Sequence, residues 1–216
     1  MNVSFEPGLC GQTHMARDRM LLQRGIGARV YTWSKPWVTL GCFQSASDAI
    51  LSSAKVQWSR RPTGGRAVLH GHDVTVAMVL ALDEPRGVRI VYPVIVGILV
   101  KAIRSAGVPA YLGREFVGER PTMRTADCFA AVSSNDIVNE LGQKVCGCAL
   151  KLTSTSILVQ ASIPVSEPLV DPGTVYAAPA SIHPIDLDPQ ELVGSLKSVL
   201  ANRNWELGLR PAPSHV

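Results

Sequence analysis

The sequence has no apolar run long enough to cross a membrane: the longest, residues 90–100, is about half of the ~20 residues a bilayer requires and is bracketed by Arg89 and Lys101. It therefore reads as a buried helix. It has no block of consecutive like charges, and Lys plus Arg at 21 against Asp plus Glu at 17 leaves only +4, so no nucleic-acid arm is expected. Residues 1–14 carry neither a basic start nor an apolar stretch, which predicts no targeting segment and a cytoplasmic location. Charged residues are only 18% against 46% hydrophobic, too few for a disordered or coiled-coil chain and enough apolar mass for a sizeable core. An even disulfide framework is missing too. Five scattered cysteines (Cys10, Cys42, Cys128, Cys146 and Cys148) are read as reduced thiols.

Two nucleotide-binding signatures are absent, the Walker-type GK[ST] ending and the GxGxxG spacing before a helix. No second cysteine pair stands near Cys146 and Cys148, and the five histidines form no ligand-spaced cluster, so no metal is expected. The C-x-C spacing instead puts both thiols on one face of a strand, as packing. No internal repeat or low-complexity stretch is present, and 1–216 is read as one domain.

What is present organises as a mixed chain. Residues 14–24 are rich in helix formers and predict a first helix. Residues 29–33 and 37–41 predict a pair of strands around a turn at Ser34, Lys35 and Pro36, and further strands are expected at 56–60, 67–70 and 74–82. Three-and-four spacing of apolar residues predicts a helix over 88–106, stopped by Gly107 and Pro109. Residues 113–127 are polar and aperiodic and predict a long surface loop ending at Cys128. From Asp136 to Val165 the alternation predicts three antiparallel strands, with Ile157, Val159, Ala161 and Ile163 on one face. Asp188, Pro189 and Glu191 predict the capped start of a last helix. The fold class is α+β, a largely antiparallel central sheet packed by helices.

The segment RRPTGGRAVLH, residues 60–70, carries the strongest chemical signal. Gly64 and Gly65 lack side chains, so a ligand's polar end can lie against backbone N–H groups, while Arg61 or Arg66 can meet a carbonyl, carboxylate or phosphate. The same residues could equally form a tight hairpin turn with solvated arginines. His72 and Asp73, just beyond, read as exposed turn residues.

This stretch resembles the signature loop of the lipoate and biotin protein ligase superfamily, in which R-x-T/S-G-G precedes a strand ending in histidine. Arginine after the glycine pair is similar to the LipM-type octanoyltransferase branch. Leu40, Gly41, Phe43 and Gln44 resemble the LG-x-x-Q element, and Ala16, Asp18, Leu21 and Leu22 the first-helix pattern. Asn135, Asp136 and Ile137 followed by Lys144, Gly147 and Ala149 resemble the paired-strand core in which a lysine reaches the acyl carbonyl. Cys128 with Phe129 is similar to the cysteine–phenylalanine pair that carries the acyl thioester in the LipM-type enzymes. The resemblance covers residues 14 to about 165. It departs at Gln160 and Ala161, where members usually carry a histidine–glycine pair, and at Asn135 and Asp136, which are more like the ATP-using ligases.

The resemblance implies a class II biotin/lipoate ligase-like catalytic domain with Cys128 and Lys144 as catalytic residues. The implied acyl and substrate contacts are Arg61, Thr63, Gly64, Gly65, Arg66, Ala67, Val68 and His70 in the signature loop, with Gln44, Asn135, Gly147 and Ala149 from the other motifs. Thioester chemistry needs a thiolate, which a neighbouring ammonium favours; Lys144, taken without context, would be a solvated turn residue and Cys128 a small core thiol. The implied activity is transfer of an octanoyl group from acyl carrier protein, through a Cys128 thioester, to the acceptor lysine of a lipoyl-domain protein such as glycine cleavage H protein or a 2-oxoacid dehydrogenase E2. No metal or ATP is then needed. The alternatives are an ATP-dependent lipoate- or biotin-protein ligase, with Mg²⁺ near the glycine loop and Asp136, and a non-catalytic acyl-binding relative.

Overall fold

The computed structural model describes residues 1–85, 87–116 and 125–202. In chain order these form β1 (Val3–Leu9), α1 (Gly11–Arg24), β2 (Gly27–Trp33), β3 (Trp37–Leu40), a one-turn α2 (Ala46–Ala49), β4 (Gln57–Arg60), β5 (Val68–His70) and β6 (Asp73–Ala81). There follow α3 (Val88–Ser105), β7 (Tyr111–Leu112), β8 (Ile137–Val138), β9 (Lys144–Leu152), β10 (Ser156–Pro164) and α4 (Pro189–Ala201).

The alternation of β6 and β10 decides the layering. Val74, Val76, Met78 and Leu80 on β6, with Ile157, Val159, Ala161 and Ile163 on β10, enter one large core cluster with Ile95, Leu99 and Ile103 of α3 and Leu192 and Leu196 of α4. The intervening residues Ala77, Val79 and Leu158 instead meet Met15 and Leu21 of α1. A strand buried on both faces sits at the centre of a sheet, and these two do: the order is β1-β2-β6-β10-β9-β8-β7, with β1 parallel to β2 and the other pairs antiparallel. Asp188 caps α4 as its position predicts, accepting from the N–H groups of Gln190 and Glu191 at 2.7 and 3.0 Å.

Three expectations are corrected. β2 and β3 do not pair around their turn: β3 leaves to a separate sheet of order β4-β3-β5, because Trp37, Val38 and Leu40 bury against α1 and the segment around Val175 and Tyr176. The first helix starts at Gly11 rather than His14, at a residue where a side chain would collide with the Trp37 indole, and the residues ahead of it form β1. The 113–127 stretch is not loop throughout: 113–115 form a short 3₁₀ turn, and Asp127 bridges Ala67 in parallel register. Residues 117–124 of that stretch lie outside the described residues.

Candidate active site

The two sheets face each other across a cavity of about 400 Å³, open mouth included. Its walls include Met15, Tyr31, Trp33, Arg61, Gly65, Cys128 and Gly147.

Cys128 is anchored by its backbone. Its N–H donates to the Ala67 carbonyl at 2.9 Å and the Ala67 N–H donates to Ala126 at 2.8 Å, so the cysteine is tied to the start of β5. Lys144 approaches from β9: its Nζ donates to the Cys128 carbonyl at 2.9 Å, lies 3.6 Å from Cys128 Sγ, and pairs with Asp136 Oδ1 at 3.0 Å. The side chain is 5% exposed, so it is not the solvated turn residue its local sequence suggests. Burial works against its charge, but the Cys128 sulfur and the Asp136 carboxylate outweigh it and hold the ammonium above its ordinary range. Gly147 makes the close approach possible, since a Cβ there would stand 3.1 Å from Cys128 Sγ and 3.5 Å from Lys144 Cε.

The glycine turn is built from behind. Arg61 spends its guanidinium on the protein itself, donating from Nη2 to the carbonyls of Gly64 and Arg66 at 2.6 and 2.7 Å and from Nη1 to Thr39 at 3.0 Å. It is thus a buttress of the turn, pulling two of its carbonyls inward. Gly65 adopts a φ of 85°, and the backbone of Gly41 packs against it so closely that a Cβ on Gly41 would reach within 2.0 Å of the Gly65 carbonyl oxygen. That contact gives the LG-x-x-Q glycine its physical reason.

Of the remaining sequence candidates, Val68, His70 and Ala149 line the cavity with Gly65 and Gly147. Thr63 and Ala67 are fully buried behind it, and Gly64 and Arg66 supply carbonyls to Arg61. Gln44 accepts from the Gly41 N–H at 3.0 Å and donates from Nε2 to the Ala126 carbonyl at 3.4 Å, and Asn135 lies outside the cavity wall. Cys146 and Cys148, with sulfurs 3.7 Å apart, pack toward the α3 side of the sheet.

The expectation that His72 and Asp73 are exposed is wrong: both are 3% exposed. Asp73 is a hub. Its Oδ2 accepts from His70 Nδ1 at 2.8 Å, Ser162 Oγ at 2.6 Å and Thr75 Oγ1 at 3.0 Å, and Trp33 Nε1 donates to Thr75 in turn. Burial opposes its charge, yet the neighbouring imidazole and these donors hold its carboxyl down at about 2. With His70 Nδ1 donating to that carboxylate, Nε2 accepts from the Thr39 hydroxyl at 2.8 Å, and Trp33 stacks on the ring at 3.9 Å. The hydroxyls along this wall therefore point at Asp73 or His70, presenting mostly carbon to the cavity.

A second network escaped the sequence reading. Gln160 Nε2 donates to Asp18 Oδ2 at 2.6 Å while its Oε1 accepts from Thr63 Oγ1 at 2.7 Å, and Thr63 accepts from Arg61 Nε at 3.1 Å. The chain runs from α1 through β10 to the glycine turn. The sequence showed Asp18, Thr63 and Gln160 each within a motif or a departure from one, but no local signal joined them. Asp18 also accepts from Tyr31 at 2.9 Å and pairs with Arg29; burial outweighs these partners and pushes its carboxyl up to about 6.

The comparisons with known proteins agree with this architecture. The model of the lipoyl protein ligase A/B catalytic domain matches residues 11–203. The chain is 33% identical over 152 residues to octanoyltransferase LipM of Carboxydothermus hydrogenoformans, covering 64% of this chain and 55% of that protein. It is 35% identical over 164 residues to octanoyltransferase LipM of Moorella thermoacetica, covering 70% and 60%. It thus spans a little over half the length of these curated relatives. Among solved structures, a lipoate protein ligase from T. acidophilum with bound lipoic acid superposes with a TM-score of 0.73 at 18% identity, covering 93% of this chain and 84% of that one. From the glycine turn, the cysteine–lysine couple and these matches together, this chain belongs to the family of lipoyl protein ligase A/B catalytic domains.

Proposed function

We propose that this protein is an octanoyltransferase of protein lipoylation, taking the acyl group from an acyl carrier protein thioester onto Cys128 and passing it to a lysine amine on a lipoyl domain. The observation that carries this reading is the buried ammonium of Lys144 beside the Cys128 sulfur at the mouth of a largely apolar cavity. In the first step the Cys128 sulfur attacks the acyl carbonyl, a carbon–sulfur bond forms, and the carrier's thiolate leaves. In the second, the neutral acceptor amine attacks the new thioester, passes a proton to solvent as the amide forms, and expels the Cys128 thiolate. Lys144 stabilises negative charge on sulfur in both steps without changing its own protonation. The tail lies toward Met15, Tyr31 and Trp33, where each buried methylene contributes about 0.8 kcal/mol. The names of the LipM relatives support octanoyl as the group carried. Neither ATP nor Mg²⁺ enters either step.

The test is intact-protein mass spectrometry after incubation with octanoyl–acyl carrier protein and no ATP. The expected result is one octanoyl adduct on Cys128 that disappears on adding a lipoyl domain, which gains it. Octanoylation of the lipoyl domain that appears only with free octanoate and ATP would replace the transferase by a ligase.

A further inference from the structure

One row of paired residues forms the floor of the cavity. Gly147 on β9 lies opposite Ser162 on β10, Ser162 opposite Thr75 on β6, and Thr75 opposite Tyr31 on β2, and all four line the cavity. Residues paired in this way share one face of a sheet, so the row runs across four strands. It starts at the nucleophile, since a Cβ on Gly147 would stand 3.1 Å from Cys128 Sγ. At the usual strand spacing Thr75 lies ~10 Å and Tyr31 ~14 Å from Gly147. At Thr75 the row is blocked by Trp33. The indole Nε1 donates to Thr75 Oγ1 at 3.0 Å, Thr75 donates to Asp73 Oδ2 at 3.0 Å, and His70 Nδ1 donates to the same oxygen at 2.8 Å. The His70 ring closes the circuit by stacking on Trp33 with centroids 3.9 Å apart. Tyr31 and His14 flank the indole at 5.7 and 5.1 Å, and the residue is 8% exposed. So held, Trp33 has little freedom to swing aside. Met15, by contrast, is unbranched and adaptable, its sulfur receiving one long contact from Gln160 Nε2 at 3.6 Å.

We propose that Trp33 is the residue that fixes acyl length, its indole being the stop met by the terminal methyl of an eight-carbon chain; this rests on the acyl-transfer reading above. An octanoyl group contains seven carbon–carbon bonds and, at about 1.3 Å of advance per bond, spans ~9 Å. Extended from Cys128, it fills the row from Gly147 to Thr75 and goes no further. A longer straight chain has to fold back or push the indole away, which breaks the Thr75 bond and the stack on His70. A shorter one leaves apolar wall uncovered, and each missing methylene weakens its hold. The hydroxyls of Thr75 and Ser162 donate to Asp73, so the tail passes over their carbon atoms. Because the indole is pinned from both sheets, the limit it imposes is sharp.

The experiment offers the full chain an equimolar mixture of acyl carrier protein thioesters of six, eight, ten, twelve and fourteen carbons. Early adducts on Cys128 are read by intact-protein mass spectrometry. In the wild type the octanoyl adduct should exceed the dodecanoyl one by at least about tenfold. Trp33→Leu shortens the stop and should move the preferred length to ten or twelve carbons. Trp33→Phe, which keeps an aromatic ring against His70 and so guards against a variant that fails to fold, should raise the decanoyl share over the octanoyl by about tenfold. A gain for longer chains cannot come from a damaged fold, which loses every length together. An unchanged length profile in the variants, or an equal loss at all lengths, overturns the role of Trp33 while octanoyl transfer stands. So does a wild type that takes fourteen carbons as fast as eight. A wild type that gains no adduct of any length overturns the transfer reading, and this proposal with it.

Discussion

Lys144 Nζ reaches to 3.6 Å from Cys128 Sγ because β9 carries one residue too many for its neighbour: Ile137 lies opposite Cys146, but Val138 lies opposite Lys144. Simple alternation would put Lys144 on the same face as Cys146 and Cys148, in the core with α3. The bulge lets Val145 and Cys146 both face that core and returns the lysine to the side of Gly147. A local irregularity thus re-aims one side chain into the site.

The first prediction concerns that lysine and its carboxylate. Lys144→Met should slow acylation of Cys128 by at least about a hundredfold and also destabilise the protein by about 3 kcal/mol, since Asp136 is left charged and buried. Adding Asp136→Asn should restore much of the stability, read by urea unfolding, and none of the rate. Recovery of both together would reduce the lysine to a structural ion-pair partner.

Gln160 should matter through Thr63. Gln160→Leu leaves Thr63 and Asp18 each short of a partner and should cost about 2 kcal/mol in denaturant unfolding. Because the Arg61-bound turn loses its brace, the acyl donor's KM should rise more than kcat falls. A variant as stable as the wild type with unchanged kinetics would show the chain of bonds to be idle.

Gly147→Ala places a methyl group 3.1 Å from the Cys128 sulfur while leaving the sheet hydrogen bonds intact. The fold should survive and acylation should fall by more than tenfold, with iodoacetamide labelling of Cys128 slowed as well. Unaltered labelling would mean that the sulfur does not sit where the Gly147 approach requires.

Acid should act on α1 through two opposed groups. Burial holds His14 down to about 4, with its Nδ1 facing Arg29 and its Nε2 on the Thr32 carbonyl, so its contribution is present above pH 6.5 and lost as pH falls through 4. Asp18, raised to about 6 chiefly by burial, runs the other way: its contribution is present below pH 3.8 and lost as pH rises through 6. Each slope is up to about 1.4 kcal/mol per pH unit, so the pair should nearly cancel between pH 4 and 6. Asp18→Asn should expose a loss of stability on acidification and His14→Gln a gain, both read as urea midpoints across that range. Parallel pH profiles in the two variants would contradict the opposition.

The sequence made legible whatever depends on neighbours along the chain. Residues 88–105 show a helical stripe, residues 156–164 alternate, and Asp188 followed by Pro189 marks a helix start; these signals are local, and the elements form where they predict. The glycine pair, Cys128 and Lys144 were recognisable as motifs. What could not be read was which side of an element each polar residue meets. Asp73 looked like a turn residue beside His72, yet it is the first residue of a central strand, with its charge met by Ser162, which lies 89 positions away.

By itself, then, the sequence determined the elements and the mixed class, because propensity, periodicity and turn chemistry act over a few residues, while the candidate thiol and amine came from the resemblance of its motifs to a known family. Only the tertiary structure decided that β2 and β3 part into two sheets, that a one-residue bulge swings Lys144 toward Cys128, and that Gln160 braces the glycine turn. Those outcomes depend on strand register and on the competition of distant side chains for a common buried volume, and no short window of sequence contains both partners.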